Sequence, residues 1–329
     1  MDQGHAPLVR ALSLAARSAA HPSGRDVSCG SCRSGGQRAE VLAQRDDAVV
    51  VRHGTVVAKA HAPGTDSEEH RIRLAVAAHP ALDGILLAPV RGRRRGAGDR
   101  VDGRPVTIWP YGSPVDPAAP DAAPWEDAAV LLARLHRVAV DRLPWPLPPM
   151  RGPLKAAAAV KRLPRHPAAR PVLAAWHGLP PWARAETPAP YRPQRLCHGD
   201  MHLGQLVRHP ADHGPWLLID ADDLGIGDPA WDLARPAAWF AAGLLPPDDW
   251  ARFLTAYRAA GGAAVWPVPG DPWAQLDVPA RALTVQTAAL GLARSVREGR
   301  EPDEVELLMI DSCARIASLP TDLDSAGTP

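Results

Sequence analysis

Leu196-Cys197-His198-Gly199-Asp200-Met201-His202-Leu203-Gly204-Gln205-Leu206-Val207, a turn over residues 209–215, and then Trp216-Leu217-Leu218-Ile219-Asp220-Ala221-Asp222-Asp223 decide how the chain is read. Two apolar runs bracket a polar stretch. The run from Trp216 to Ile219 predicts a short buried strand, and Asp220 stands where it ends, a position that projects a side chain into a cleft. Asp200 lies five residues before the amide of Gln205 and twenty before Asp220. That set suits phosphoryl transfer: one carboxylate accepts a hydroxyl proton, while an amide oxygen and a second carboxylate, both hard donors, hold Mg²⁺ on nucleotide phosphates.

A metal-dependent hydrolase is the rival for the same segment. His198, Asp200 and His202 alternate, and on an extended strand all three would face one side and could ligate Zn²⁺ or a metal pair. His198 is otherwise expected to support the loop, and Asp232, at the start of a predicted helix, to anchor structure. Asp222, Asp223 and Asp228 have no assigned role.

Working outward toward the N-terminus, residues 40–45, 48–52 and 55–61 are short, Val-rich runs separated by Asp46-Asp47 and His53-Gly54, which predicts successive hairpins of an antiparallel sheet. Thr65-Asp66-Ser67 offers N-caps for a helix ending before Pro80. Residues 84–90 and 105–109 predict two more strands joined by the basic loop 91–100. Lys59 lies in Val56-Val57-Ala58-Lys59-Ala60, resembling the V-A-I-K strand of kinases. Its ammonium there would reach nucleotide phosphates, and its acidic partner on the following helix is expected to be Glu68 or Glu69, with Glu69 preferred. Only three lysines (59, 155 and 161) stand among 37 basic residues, and the chain contains no Asn.

The Pro- and Ala-rich stretch 110–124 marks the boundary to a helical part, with helices expected at 126–140, 229–243, 247–260, 271–297 and 301–318. Residues 1–36 form a loosely ordered leader, 37–112 a nucleotide-side lobe, and 113–329 a helical lobe carrying the catalytic loop 196–207 and the metal segment 216–223. The fold class is α+β. A formal charge of +1 over 329 residues gives no field to recruit nucleic acid or an anionic membrane. Four scattered cysteines make no disulfide framework, and no apolar run is long enough to span a bilayer, so a cytoplasmic location is expected. The lone Cys29-Gly30-Ser31-Cys32 has no second pair to complete a zinc site.

The string HGDMHLGQLV with IDADDLGIGDPAWDLA is similar to the aminoglycoside phosphotransferase and choline kinase superfamily, whose pattern is HGD, Asn five residues later, and then I-D before a D-x-x-x-D-L-A helix. Gln205 stands here in place of the Asn. The resemblance implies a two-lobed protein-kinase-like fold and ATP and Mg²⁺ as cofactors. It implies Asp200 as base for a small-molecule hydroxyl acceptor, Gln205 and Asp220 as Mg²⁺ ligands, Lys59 on the phosphates, and a hinge with Trp109 and Tyr111 cradling adenine. The turn between the first two strands is Asp46-Asp47 rather than Gly-rich, which leaves a catalytically silent nucleotide-binding or interaction module of the same fold as the alternative. The acceptor is aminoglycoside-like or another sugar or alcohol, since the HLGQ ending also looks like that of maltokinase-type relatives.

Overall fold

The structure, a computed structural model, describes residues 6–21, 40–90, 100–190, 194–264 and 270–319. Cys29, Cys32, the other residues of the expected leader outside 6–21, and most of the basic loop lie outside the described residues. The chain forms two compact units: residues 1–121, 141–147 and 204–222 make the first, and residues 122–140, 148–203 and 223–329 the second.

In the first unit, β1 (Glu40–Gln44), β2 (Val49–His53), β3 (Val56–Ala60), β4 (Arg100–Val101) and β5 (Arg104–Pro110) form an antiparallel sheet in the order β1-β2-β3-β5-β4. The β2–β3 hairpin closes on Gly54 and Thr55, with Gly54 at φ +58°. Side chains alternate across a strand, so Val49, Val51, Ala58 and Ala60 are buried on one face while Val57 and Lys59 lie on the other. What covers the buried face corrects the expected leader: residues 6–20 are helix α1 (Ala6–Ala20), whose Leu8, Leu12 and Ala16 pack into that cluster. Their four-residue spacing makes one helical stripe, which the intervening Arg10 and Arg17 do not interrupt. The Asp46-Asp47 turn is exposed, and its Asp46 carbonyl accepts from the buried Arg104 guanidinium. Helix α2 (Ser67–Ala77) is capped by Asp66, whose side chain accepts from the backbone N–H groups of Glu68 and Glu69.

The expected strand over residues 84–90 is also corrected. Ile85, Leu86 and Leu87 are buried, but the segment forms no strand: it makes an isolated parallel bridge at Leu86 to Leu218 and one bond from Val90 N–H to the Ile108 carbonyl, and β5 pairs instead with the two-residue β4. A second sheet, in the order β6-β8-β9, contains β6 (Ser113–Pro114), β8 (Leu206–Arg208) and β9 (Trp216–Leu218). Leu87, Val207 and Leu217 form its small core. This pairing draws residues 204–222 into the first unit, where the sequence had placed the whole of 113–329 in the helical lobe.

The second unit is helical: α3 (Trp125–His136), α4 (Gly152–Lys161), α5 (Ala169–His177), α6 (Ala230–Ala241), α7 (Pro247–Ala259), α8 (Trp273–Glu298) and α9 (Glu304–Ala317). Between α5 and α6 run two short antiparallel strands, β7 (Arg195–Cys197) and β10 (Gly225–Gly227). β7 leads straight into His198-Gly199-Asp200. No helix among the described residues is long and apolar enough to cross a membrane.

Candidate active site

The first unit holds a polar cluster built around Lys59. Its Nζ lies 2.7 Å from Asp220 and 2.9 Å from Asp222. Burial alone would pull the ammonium's pKa down, but the two carboxylates outweigh it and hold it above its ordinary value. Burial would likewise raise Asp222, and Lys59 with His61 reverses that and holds it below the usual carboxylate range.

A chain of buried polar groups stands behind Asp222. The Trp109 indole N–H donates to Thr107 Oγ1 at 2.8 Å, His61 Nε2 lies 2.7 Å from the same oxygen, and His61 Nδ1 lies 2.8 Å from Asp222. Since Thr107 Oγ1 already accepts from the indole, its own hydrogen is best given to Nε2, leaving Nδ1–H for the carboxylate. The ring of His70 is 4.3 Å from that of His61, and its Nδ1 is 4.0 Å from Asp222. Burial first, and then His61, bring its pKa down to about 4.

The expected partner of Lys59 is therefore corrected. Glu69 bonds Arg73 one helical turn on, at 2.8 Å, and the helix position turned toward the Lys59 cluster is His70. Gln205 is buried in a single 3₁₀ turn (Leu203–Gln205), and its backbone carbonyl accepts from Ile219 N–H at 2.9 Å, so it stands across the β8–β9 ladder from the start of the Asp220 segment. Asp220 itself adopts φ +70°, a left-handed conformation that Asp tolerates better than most residues, and its side chain accepts from Asp222 N–H. A carboxylate and an amide oxygen are hard donors suited to Mg²⁺, so this pair fits such an ion. Trp109 is buried, while Tyr111 is half-buried with the Arg52 guanidinium 3.4 Å above its ring.

In the second unit the centre is Asp200. Lys155, from α4, lies 2.6 Å from one oxygen and Arg235, from α6, 2.8 Å from the other. Burial would raise this carboxyl, yet Lys155 and Arg235 overcome it and hold Asp200 well below the ordinary range. Lys155 also reaches Asp223 at 2.7 Å, with Arg151 Nε at 3.7 Å. There burial dominates the lysine, and the Asp223 carboxyl is raised. His202 is lowered to about 4 by burial and then by Arg235. A pocket opens on Asp200 and Arg235, walled by Met201, Trp231 and Leu283 with Gln286 beside them.

Asp232 fastens the loop. Its fully buried carboxylate accepts from His198 N–H at 2.6 Å, Gly199 N–H at 2.7 Å and His136 Nε2 at 3.0 Å, and His136 Nδ1 meets Tyr257 OH at 2.7 Å. Gly199 sits at φ +83°, and a Cβ there would strike the Asp223 carbonyl, so the backbone admits only glycine in the middle of His-Gly-Asp.

The metal set of the hydrolase rival does not assemble. Among the described residues, the His, Cys, Asp and Glu groups whose ligand atoms converge are His61–His70–Asp222 and His136–Cys197–Asp232. Asp200 instead carries two cations. The sequence overlooked Lys155, Arg235, His61 and Thr107. Two signals were available: Lys155 is one of only three lysines, and His61 follows Lys59 by two, on the same strand face.

A family model described as "Phosphotransferase enzyme family" matches residues 34–273. The sequence matches none of the curated proteins. Among solved structures, a choline/ethanolamine kinase family protein from Mesorhizobium loti is 15% identical with TM-score 0.53, covering 92% of this chain and 94% of that one. Amicoumacin kinase hAmiN, in complex with AMP-PNP, Ca²⁺ and Ami, is 15% identical with TM-score 0.60 over 85% and 88%. A thermostable mutant of aminoglycoside phosphotransferase APH(4)-Ia is 13% identical with TM-score 0.57 over 85% and 94%. At such identities the likeness is one of fold, the protein-kinase-like fold.

Proposed function

Because this chain belongs to the phosphotransferase enzyme family, we propose that it transfers the γ-phosphate of ATP to a hydroxyl of a small molecule with the help of Mg²⁺. The observation that carries this is the pair of lysine-centred carboxylate clusters, Lys59 with Asp220 and Asp222, and Lys155 with Asp200 and Asp223. In this reading the Lys59 cluster of the first unit serves the nucleotide, and the Lys155 cluster of the second serves the acceptor.

Asp200 accepts the proton of the acceptor hydroxyl as its oxygen bonds to the γ-phosphorus; the bond from that phosphorus to the β,γ-bridging oxygen breaks, and ADP leaves with the bridging electrons. Lys59 holds nucleotide phosphates as a point charge. Asp220 and Gln205 would hold Mg²⁺, which when bound neutralises charge on the β and γ phosphates. Tyr111, half-buried beneath Arg52, flanks the adenine, and Trp109 positions Thr107 and through it His61. The complex of hAmiN with AMP-PNP and Ca²⁺ supports a nucleotide and a divalent cation in this fold. The test is transfer of the γ-phosphoryl group from Mg·ATP to a screened set of hydroxyl compounds.

One observation favours a second reading, a nucleotide-binding module that does not transfer: both oxygens of Asp200 are held by cations, which suppresses its basicity. Nucleotide binding without transfer to any acceptor would select it.

A further inference from the structure

The residues around Asp200 carry information about the acceptor. Three cations, Arg151, Lys155 and Arg235, serve two carboxylates, Asp200 and Asp223. His202 adds no charge near neutral pH, because its pKa lies at about 4. Among the described residues, two more acids lie nearby: Asp232 accepts from two backbone N–H groups and His136, and Asp228 accepts from Ala230 N–H at the start of α6. The side chains that α8 contributes to the pocket, Leu283 and Gln286, are uncharged. The two carboxylates of the acceptor side that pair with cations, Asp200 and Asp223, are therefore outnumbered by the three cations that serve them.

A polycationic amine entering here would meet Arg235 and Lys155, and the carboxylates beside them among the described residues, Asp200 and Asp223, are already paired with cations, which is the arrangement that rejects such a ligand. An anion meets the opposite situation. Arg235 spends one nitrogen on Asp200, while its Nε is buried without a hydrogen-bond partner. For Asp200 to receive an acceptor hydroxyl, one of its oxygens must be released. If Arg235 releases it, a carboxylate or phosphate on the incoming molecule gives the guanidinium fork a replacement of matching geometry. The exchange also relieves Asp200 of one of the charges that hold its basicity down.

We propose that the acceptor is a hydroxyl compound bearing an anionic group, carboxylate or phosphate, near the hydroxyl that is phosphorylated, and that Arg235 reads that group. This rests on the phosphotransferase function proposed above.

The test measures ADP release from Mg·ATP with four sets of compounds: neutral sugars and polyols, sugar acids and hydroxy acids, sugar phosphates, and amines including aminoglycosides, amino sugars and choline. The second and third sets distinguish carboxylate from phosphate. The best kcat/KM is expected for an anionic compound, at least tenfold above its neutral counterpart. Arg235→Gln should abolish this preference, and Arg235→Lys, which keeps charge but not the fork, should retain part of it. If Arg235→Gln does not fold, Arg235→Lys carries the test, with KM for the anionic acceptor rising at least tenfold more than KM for Mg·ATP. A best acceptor that is neutral or cationic overturns the proposal, as does an anionic preference that survives in Arg235→Gln or is undiminished in Arg235→Lys. Binding of AMP-PNP with Mg²⁺, measured by calorimetry, separates two failures. Binding with no anionic compound accepted overturns the acceptor class alone, and no binding overturns the phosphotransferase function as well.

Discussion

The Lys59 cluster and the Lys155 cluster look alike on paper, each a lysine bridging two aspartates, yet their charge balance is opposite. In the first unit one cation serves Asp220 and Asp222, with His61 donating from behind and His70 held neutral at physiological pH. In the second unit three cations serve Asp200 and Asp223. A surplus carboxylate is what a divalent ion needs, and a surplus cation is what an anion needs. The bare motif, lysine between two acids, does not distinguish these tasks; the stoichiometry of the neighbours does.

The largest effect that could break this contrast is on rate. Asp200→Asn keeps the size of the side chain but cannot take the hydroxyl proton, so kcat should fall by about 10²–10⁴-fold while binding of Mg·ATP persists. Steady-state kinetics together with calorimetry check it, and a wild-type kcat would remove Asp200 from the chemistry.

Next comes the anchor beneath the second cluster. Asp232→Ala leaves His198 N–H, Gly199 N–H and His136 without their buried acceptor, and should cost roughly 3–5 kcal/mol of stability. Denaturant unfolding measures this directly, and no comparable loss is expected from Asp223→Ala, which leaves no such set of buried donors behind.

Lys59→Ala sharpens the contrast from the other side. It leaves two adjacent carboxylates without their cation and should destabilise the protein by about 2–3 kcal/mol near neutral pH. Mg²⁺ alone should raise the melting temperature of this variant more than that of the wild type, because an ion can enter the vacated charge position. Lys155→Ala, with Arg151 and Arg235 still in place, should show no such gain.

A smaller effect concerns pH. His202 has a folded pKa of about 4, against roughly 6.5 for an unperturbed histidine. The unfolded chain takes up this proton first, so the stabilisation is complete above about pH 6.5 and is lost as pH falls toward 4. His202→Gln should remove this part of the acid sensitivity, on the order of 1 kcal/mol after allowance for partial exposure, read from melting curves between pH 7 and 4.

The mildest change is Gln205→Asn, which keeps an amide oxygen one methylene shorter. It should raise the Mg²⁺ requirement by only a few-fold, whereas Gln205→Ala should raise it clearly more. Identical metal titrations for the two would take Gln205 out of the metal site.

Legibility in sequence followed the range of the interactions. The five-residue step from Asp200 to Gln205, Asp220 at the end of a buried run and Lys59 in a Val-rich strand are local patterns, and each was visible. The α2 cap was equally local, and Asp66 fills it. The partner of Lys59 was not visible, because Glu69 has an arginine four residues on and satisfies itself within its own helix. His61, Thr107 and Asp222 come from three distant segments, and Lys155 and Arg235 from two helices, so that only the folded chain brings them together. Helix α1 was misread because Arg, Ser and Ala set the texture of residues 6–20, although Leu8, Leu12 and Ala16 already marked its buried stripe. Residues 84–90 were misread for the reverse reason: burial made them apolar, while their backbone bonds to β9 and β5 at too few points to form a ladder.

The scarcity of lysine turns the molecule into its own reporter. Lys59 and Lys155 are locked in ion pairs that raise their pKa values, whereas Lys161 lies exposed at the end of α4. Since amine-reactive esters attack only the neutral amine, acylation followed by mass spectrometry should modify Lys161 first and the two ion-paired lysines far more slowly. With so few lysine side chains, the modified peptides can be assigned without ambiguity. Adding nucleotide should then alter labelling at Lys59, and adding a bound acceptor should alter it at Lys155. One unmodified protein thus offers separate footprints for the two halves of a reaction.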